Sequence, residues 1–217
     1  MALYPIFIET KDRPVLVIGG GRVGAEKVRG LLAAEADVTV VSPELIDELR
    51  QHAAAGRIKH VARAYQETDL DAGWQWVMVA TDDGAINADV ARACHQRGLW
   101  VNAADDPKHC DFILPSVVRK GKITLAASTA GTSPALARRL REELTAFLDE
   151  DYAPLTDLLA EIRGEVRAAN LRVDPETWQS AIDARLRTLV AQGRVDEARN
   201  RLRQALVVEP SPARREG

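Results

Sequence analysis

The sequence predicts a doubly wound α/β fold, and three observations carry that expectation. Short apolar runs rich in valine alternate with helix-compatible stretches through the first half of the chain. Several of the helix-like stretches stop at a glycine, as at Gly56 and Gly98. The first apolar run, residues 15–18, leads into Gly19-Gly20-Gly21-Arg22-Val23-Gly24, which places three glycines on the G-x-G-x-x-G spacing between a buried strand and a helix. The fold class that follows is a Rossmann-like doubly wound parallel sheet, then a small α+β dimerisation element and a helical C-terminal region.

The elements follow in order. Residues 15–18, 37–41, 58–62, 76–80 and 99–102 read as strands, with residues 23–34, 45–55 and 86–97 as the helices between them. Beyond Cys110 the pattern changes. Residues 112–119 and 122–128 are strand-like about a Lys120-Gly121 turn, which suits a hairpin. Thr132-Ser133-Pro134 then opens a helix over 135–148, with Ser133 as N-cap and Pro134 at its first position. A hairpin and one helix leave a sheet edge exposed, so this element is expected to pair with its copy in another subunit. From Asp149 the chain is helical and charged, with breaks at Val173-Asp174-Pro175 and at Gln192-Gly193. The expected organisation is a nucleotide-binding domain over 1–111, a dimerisation and substrate-pocket element over 112–148, a helical domain over 149–208 and a frayed tail over 209–217.

Composition narrows the function classes. The chain has 217 residues of which 46% are hydrophobic, enough for a sizeable core and too many for a disordered chain. A formal net charge of −3 argues against a general nucleic-acid binder. No apolar stretch reaches the roughly 18 residues of a membrane span, and residues 1–10 lack the pattern of a signal peptide. Two cysteines, Cys94 and Cys110, suit a reducing compartment, so a cytoplasmic protein is expected.

The glycine loop points to a dinucleotide. Gly19 permits the tight turn, Gly21 lets the backbone approach the pyrophosphate, and Gly24 lets helix and strand pack closely, while the helix N-terminus offers free N–H groups. The acidic residue usual after the second strand is missing. Val41 is followed by Ser42-Pro43-Glu44, which would either contact the ribose or form a plain turn with Ser42 as helix cap. No arginine stands there to receive a 2′-phosphate, which favours NAD over NADP. Thr81 and Asp82 follow the strand over 76–80 and suit the nicotinamide side, while Asp83 suits a helix cap. Asn102 and Asp105 end the next strand, where a carboxylate opposite the nicotinamide takes a proton during oxidation; two acids before Pro107 also read as a turn. His109 and Cys110 lack further metal-ligand partners, so no metal is expected, and Cys94 reads as a buried apolar residue. Arg119, Lys120, Lys122, Arg138, Arg139 and Arg141 form either a solvated face or a polyanion site.

Taken together, Tyr4-Pro5-Ile6-Phe7, Gly19 to Gly24 with Lys27 behind them, Ala80-Thr81-Asp82-Asp83, Asn102 with Asp105, Phe112-Ile113-Leu114-Pro115-Ser116 and Gly131-Thr132-Ser133-Pro134-Ala135-Leu136-Ala137 resemble the precorrin-2 dehydrogenase / sirohydrochlorin ferrochelatase family, the N-terminal module of siroheme synthase. The resemblance covers about residues 4–148. It implies oxidation of precorrin-2 to sirohydrochlorin with NAD as hydride acceptor, in siroheme biosynthesis. It also implies a homodimer that exchanges strands and helices. Asp105 matches the family's catalytic aspartate, and Arg22-Val23 and Pro43-Glu44 match its NAD-contacting pairs. A polycarboxylate tetrapyrrole gives Asn102, Ser133, Arg119 and Arg138 a reason to line its pocket. Two alternatives remain open from the residues: a bifunctional dehydrogenase and ferrochelatase, and a non-catalytic NAD-sensing module. Thr129 stands where some relatives carry a phosphorylatable serine.

Overall fold

The computed structural model describes residues 3–104 and 106–206 of the chain, in two compact units, residues 1–114 and 115–217.

The first unit is a parallel sheet with helices on both faces. Strand β1 (Pro14–Ile18) leads to helix α1 (Arg22–Leu32), β2 (Asp37–Val41), α2 (Asp47–Ala54) and β3 (Lys59–Val61). A 3-10 turn over Glu67–Asp71 precedes β4 (Trp76–Val79), α3 (Gly84–Gln96) and β5 (Trp100–Ala103). The five strands lie in the order β3-β2-β1-β4-β5, all parallel. The order reverses at β1, so a crevice opens beyond the carboxyl ends of β1 and β4, where such sheets bind their ligands. The continuous apolar strands follow from burial on both sides. Val15 and Val17 face the cluster of Ala25, Val28 and Val38, whereas Leu16 and Ile18 face that of Val77, Val90 and Cys94.

In the second unit, β6 (Ser116–Lys120) and β7 (Ile123–Ala127) form a two-stranded antiparallel sheet, followed by α4 (Pro134–Phe147). Among the described residues of α4 none is buried. Then come α5 (Tyr152–Ala168), α6 (Pro175–Ala181), α7 (Ala184–Ala191) and α8 (Val195–Leu206), whose apolar faces meet in one core built on Leu155, Ile162, Leu186 and Leu202. None of the helices among the described residues is long and apolar enough to cross a membrane.

Three expectations about elements need correction. The strand expected from residue 112 starts at Ser116, because Phe112 turns its ring edge-on to Trp76 at 6.3 Å between centroids and gives its carbonyl to Asn102. The helix expected from residue 45 starts at Asp47 with Ile46 as N-cap, so Ser42 does not cap it. Helix α6 ends at Ala181 and Asp183 caps α7 through Leu186 N–H, a break that lacks the glycine or proline marking the other two. The expected tail over 209–217 lies outside the described residues.

Candidate functional site

The glycine loop is dictated by close backbone approach. Gly19 adopts φ +119°, and a β-carbon there would sit 2.3 Å from the Ala80 carbonyl oxygen. A β-carbon on Gly24 would lie 2.2 Å from the Gly19 carbonyl oxygen, so α1 packs onto the strand end only without a side chain at that position. Gly20, which the spacing did not single out, is equally constrained: its β-carbon would fall 2.1 Å from the Glu44 carbonyl oxygen. Gly21 differs, because a β-carbon there would meet nothing within 4 Å. That open space lies at the head of α1, where Gly21 is N-cap without a side-chain capping bond. The first N–H groups of a helix have no partner within it, and among the described residues α1 has no acidic side chain in its first turn. The loop therefore fits a pyrophosphate.

The crevice has a volume of about 530 Å³ and takes its walls from Gly19–Gly21, Ser42–Ile46, Ala64–Tyr65, Ala80–Asp82 and Ile86. Among the described residues its lining holds no lysine or arginine, and Glu44 and Asp82 are the carboxylates on it. Arg22 and Val23 are exposed at the first turn of α1, outside that lining. The Ser42 hydroxyl donates to the Glu44 carbonyl at 2.7 Å and closes the turn, while the Ser42 carbonyl meets His60 Nε2 at 2.9 Å. Tyr65 supplies an apolar wall that sequence reasoning missed. Its hydroxyl is buried without a hydrogen-bond partner among the described residues, and burial pushes its pKa up to about 12.

At the end of β4, the Thr81 hydroxyl donates to Asn87 Oδ1 at 2.6 Å, and Asn87 Nδ2 returns a bond to the Thr81 carbonyl at 3.1 Å. Asn87 is buried and was not singled out from the sequence, since an asparagine inside a helix carries no motif. Asp83 caps α3 as expected, accepting from Ala85 and Ile86 N–H, which leaves exposed Asp82 directed at the crevice lining.

At the end of β5, Asn102 is 7% exposed. Its Oδ1 accepts from Lys27 Nζ at 2.7 Å, and its Nδ2 donates to the Phe112 carbonyl at 2.9 Å. Asp105 lies outside the described residues. Asp106 pairs with His109 Nδ1 at 2.6 Å, and that bond holds its carboxyl below the usual range. Cys110 Sγ is engaged by the backbone of Ala103 and Asp106, and among the described residues no group of three or more His, Cys, Asp and Glu could hold a metal ion.

The remaining candidates stand in the second unit. Ser133 caps α4 through Leu136 N–H at 3.2 Å. Arg138 pairs with Glu142 one turn on, and Arg139 with Glu143, as a solvated helix face does. Arg119 is exposed on β6. Thr129 Oγ1 accepts from Ser133 N–H at 3.2 Å, bracing the loop before α4.

Comparison with known proteins gives three findings. A family model described as "Putative NAD(P)-binding" matches residues 6–116. Siroheme synthase of Sodalis glossinidius is 36% identical over 97% of this chain, and siroheme synthase of Thioalkalivibrio sulfidiphilus 38% identical over 95% of it. The chain spans less than half the length of these curated relatives, 45% and 42% respectively. Among solved structures, SirC, a precorrin-2 dehydrogenase, superposes with a TM-score of 0.75 at 29% identity, covering 94% of this chain and 98% of SirC.

Proposed function

The chain belongs to the "Putative NAD(P)-binding" family, and from that premise we propose that it is an NAD-dependent precorrin-2 dehydrogenase making sirohydrochlorin for siroheme. The observation that carries the reading is the open space at Gly21 beside the uncapped head of α1, between Gly19, Gly20 and Gly24, where a β-carbon would clash with backbone. The likeness to SirC over nearly the full length of both chains supports the substrate. Gly19 to Gly24 would hold the pyrophosphate, Ser42 to Glu44 the adenosine ribose, and Thr81 and Asp82 the nicotinamide side. When bound there, the dinucleotide supplies hydride acceptance. Loss of a hydride and a proton from precorrin-2 leaves sirohydrochlorin, and Asp105 is the base that takes the proton. Glu44, with no lysine or arginine among the described lining residues, favours NAD over NADP, because a 2′-phosphate on the adenosine ribose would meet like charge.

Asn102, Ser133, Arg119 and Arg138 are the proposed contacts for the substrate's carboxylates. The active form is proposed as a homodimer, a reading supported by the isolated β6–β7 pair and by α4, whose described residues include none that is buried. Two unpaired cysteines suit a reducing cytoplasm.

The test mixes protein, NAD and enzymatically generated precorrin-2 and follows NADH absorbance. NADH formation is expected, and its absence from folded protein overturns the reading. Asp105→Ala should abolish turnover while NAD still binds. Adding Co(II) or Fe(II) to sirohydrochlorin, against a no-protein control, tests whether the same crevice also inserts metal.

A further inference from the structure

Lys27 belongs to α1 and Asn102 to β5, two elements that are not neighbours. Helix α1 follows β1, and β4 lies between β1 and β5. The lysine side chain nevertheless reaches its partner on β5. It does so half-buried, placing Nζ 2.7 Å from Asn102 Oδ1. A lysine on a helix can usually turn its ammonium to water at little cost, so this orientation is specific.

What it reaches is a segment folded back on the end of β5. Val101 N–H donates to Asp111 Oδ2 at 2.8 Å, and Asp111 N–H donates to the Val101 carbonyl at 2.9 Å. Cys110 Sγ lies 3.2 Å from both the nitrogen and the oxygen of Ala103. Ala104 N–H donates to the Val79 carbonyl at 2.8 Å, and Asn102 Nδ2 closes the far end on the Phe112 carbonyl. The Lys27 charge is felt within the segment, where it opposes the upward push of burial on the Cys110 thiol. Lys27 thus links the helix that starts at the glycine loop to the segment that ends β5.

We propose that Lys27 is a positioning residue: it couples dinucleotide binding at the head of α1 to the order of residues 102–104 and 106–112, through its bond to Asn102. The proposal rests on reading the crevice as a dinucleotide site. A ligand that fixes the first turn of α1 fixes Lys27 with it, and through Asn102 the segment is held against the crevice. The lysine need not touch the dinucleotide for this to occur.

The test is amide hydrogen exchange by mass spectrometry on the full chain, with and without NAD, for wild type, Lys27→Arg and Lys27→Met. In wild type NAD should slow exchange in peptides covering both 19–24 and 102–112. Lys27→Arg should retain both effects. Lys27→Met should keep protection at 19–24 and an NAD Kd within about threefold of wild type, yet lose protection at 102–112. Turnover should follow, with kcat falling about 10- to 100-fold and KM for NAD little changed, as misplaced reacting groups produce, and with recovery in Lys27→Arg. Lys27→Gln, which keeps a donor without the charge, serves as the second variant if Lys27→Met fails to fold. Wild-type protection at 19–24 without any at 102–112, or full protection at 102–112 in a folded Met or Gln variant, overturns the coupling alone. No NAD-dependent protection anywhere in wild type overturns the dinucleotide reading beneath it.

Discussion

A β-carbon on Gly24 would stand 2.2 Å from the carbonyl oxygen of Gly19, whereas one on Gly21 would stand in open space. Both residues satisfy the same sequence spacing, so their roles separate cleanly by substitution. Gly24→Ala forces α1 away from the strand end and should cost about 1–3 kcal/mol, as overpacking usually does. Gly21 has φ −85°, which alanine adopts freely. Gly21→Ala should therefore change stability by less than about 1 kcal/mol, the entropy gain being offset by the poorer fit of alanine at an N-cap. It should also weaken NAD binding at least about tenfold, because the methyl occupies the space kept for the ligand. Urea denaturation beside NAD titration checks both. Equal loss of stability in the two variants would contradict the assignment.

Asp69 bonds to residues on both sides of Ala64 and Tyr65, which line the crevice beyond β3. Its carboxylate accepts from Arg63 at 2.5 and 2.8 Å and from Gln66 N–H at 2.8 Å, and its side chain is 10% exposed. The Arg63 bond holds the Asp69 carboxyl below its ordinary value, against the opposing effect of burial. A depressed pKa in the folded state means the unfolded chain binds the proton more readily, so the contribution is complete above the unfolded value. It is lost as pH falls through the folded one. Asp69→Asn should cost about 1–2 kcal/mol near neutral pH, discounted because Arg63 stays in contact with water. The gap between wild type and variant should hold down to about pH 5 and narrow below about pH 4. A gap independent of pH, read from urea midpoints across that range, would exclude the charged pairing.

The cysteines allow a third test. Cys94 is fully buried, and burial pushes its thiol up to about 11. Burial also raises the Cys110 thiol, whose sulfur is bonded to the backbone of the segment ending β5. At pH 8 only about one Cys94 in a thousand would be thiolate even if it were reachable. Iodoacetamide should leave Cys94 unlabelled in the folded protein and label both cysteines in guanidinium. Rapid labelling of Cys94 in the native state would show that α3 opens locally.

The parts of the fold that were legible are those where one physical cause dominates. Val15 to Ile18 announce a strand because both of their faces are buried, and Asp83, Ser133 and Pro134 announce helix starts because capping is local chemistry. What escaped was decided by partners distant in sequence. Phe112 has the composition of a strand residue, yet Trp76 and Asn102 claim it. Gly20 is constrained by Glu44, and Thr81 is oriented by Asn87 from within a helix. Ser42 read as either a ribose contact or a helix cap, and the cap fails because its hydroxyl donates to the Glu44 carbonyl two residues on. Such pairings leave no periodic trace, so the crevice was legible at its glycines and at the strand ends that carry Ser42 to Glu44, Thr81 and Asp82, while Tyr65 and the support from Asn87 stayed hidden.

On the proposed reading, and testably, the choice between NAD and NADP is set at Glu44. Its backbone is fixed, because the Ser42 hydroxyl donates to its carbonyl and Gly20 packs within van der Waals distance of the same oxygen. Its side chain is exposed on the crevice rim, so substitution there should leave the fold intact. A carboxylate at that place suits the two hydroxyls of an unmodified ribose and repels a 2′-phosphate. Glu44→Arg reverses the charge and presents a guanidinium able to bind phosphate through two donors. Wild type should use NAD at least about tenfold better than NADP by kcat/KM, and Glu44→Arg should shift that ratio toward NADP by about 10- to 100-fold, or roughly 1.4–2.8 kcal/mol. Glu44→Gln should fall between them, since it removes the repulsion without supplying a cation. Steady-state rates with each cofactor measure the ratio, and thermal melts confirm that the variants remain folded. A ratio unmoved by Glu44→Arg would place ribose recognition elsewhere on the crevice.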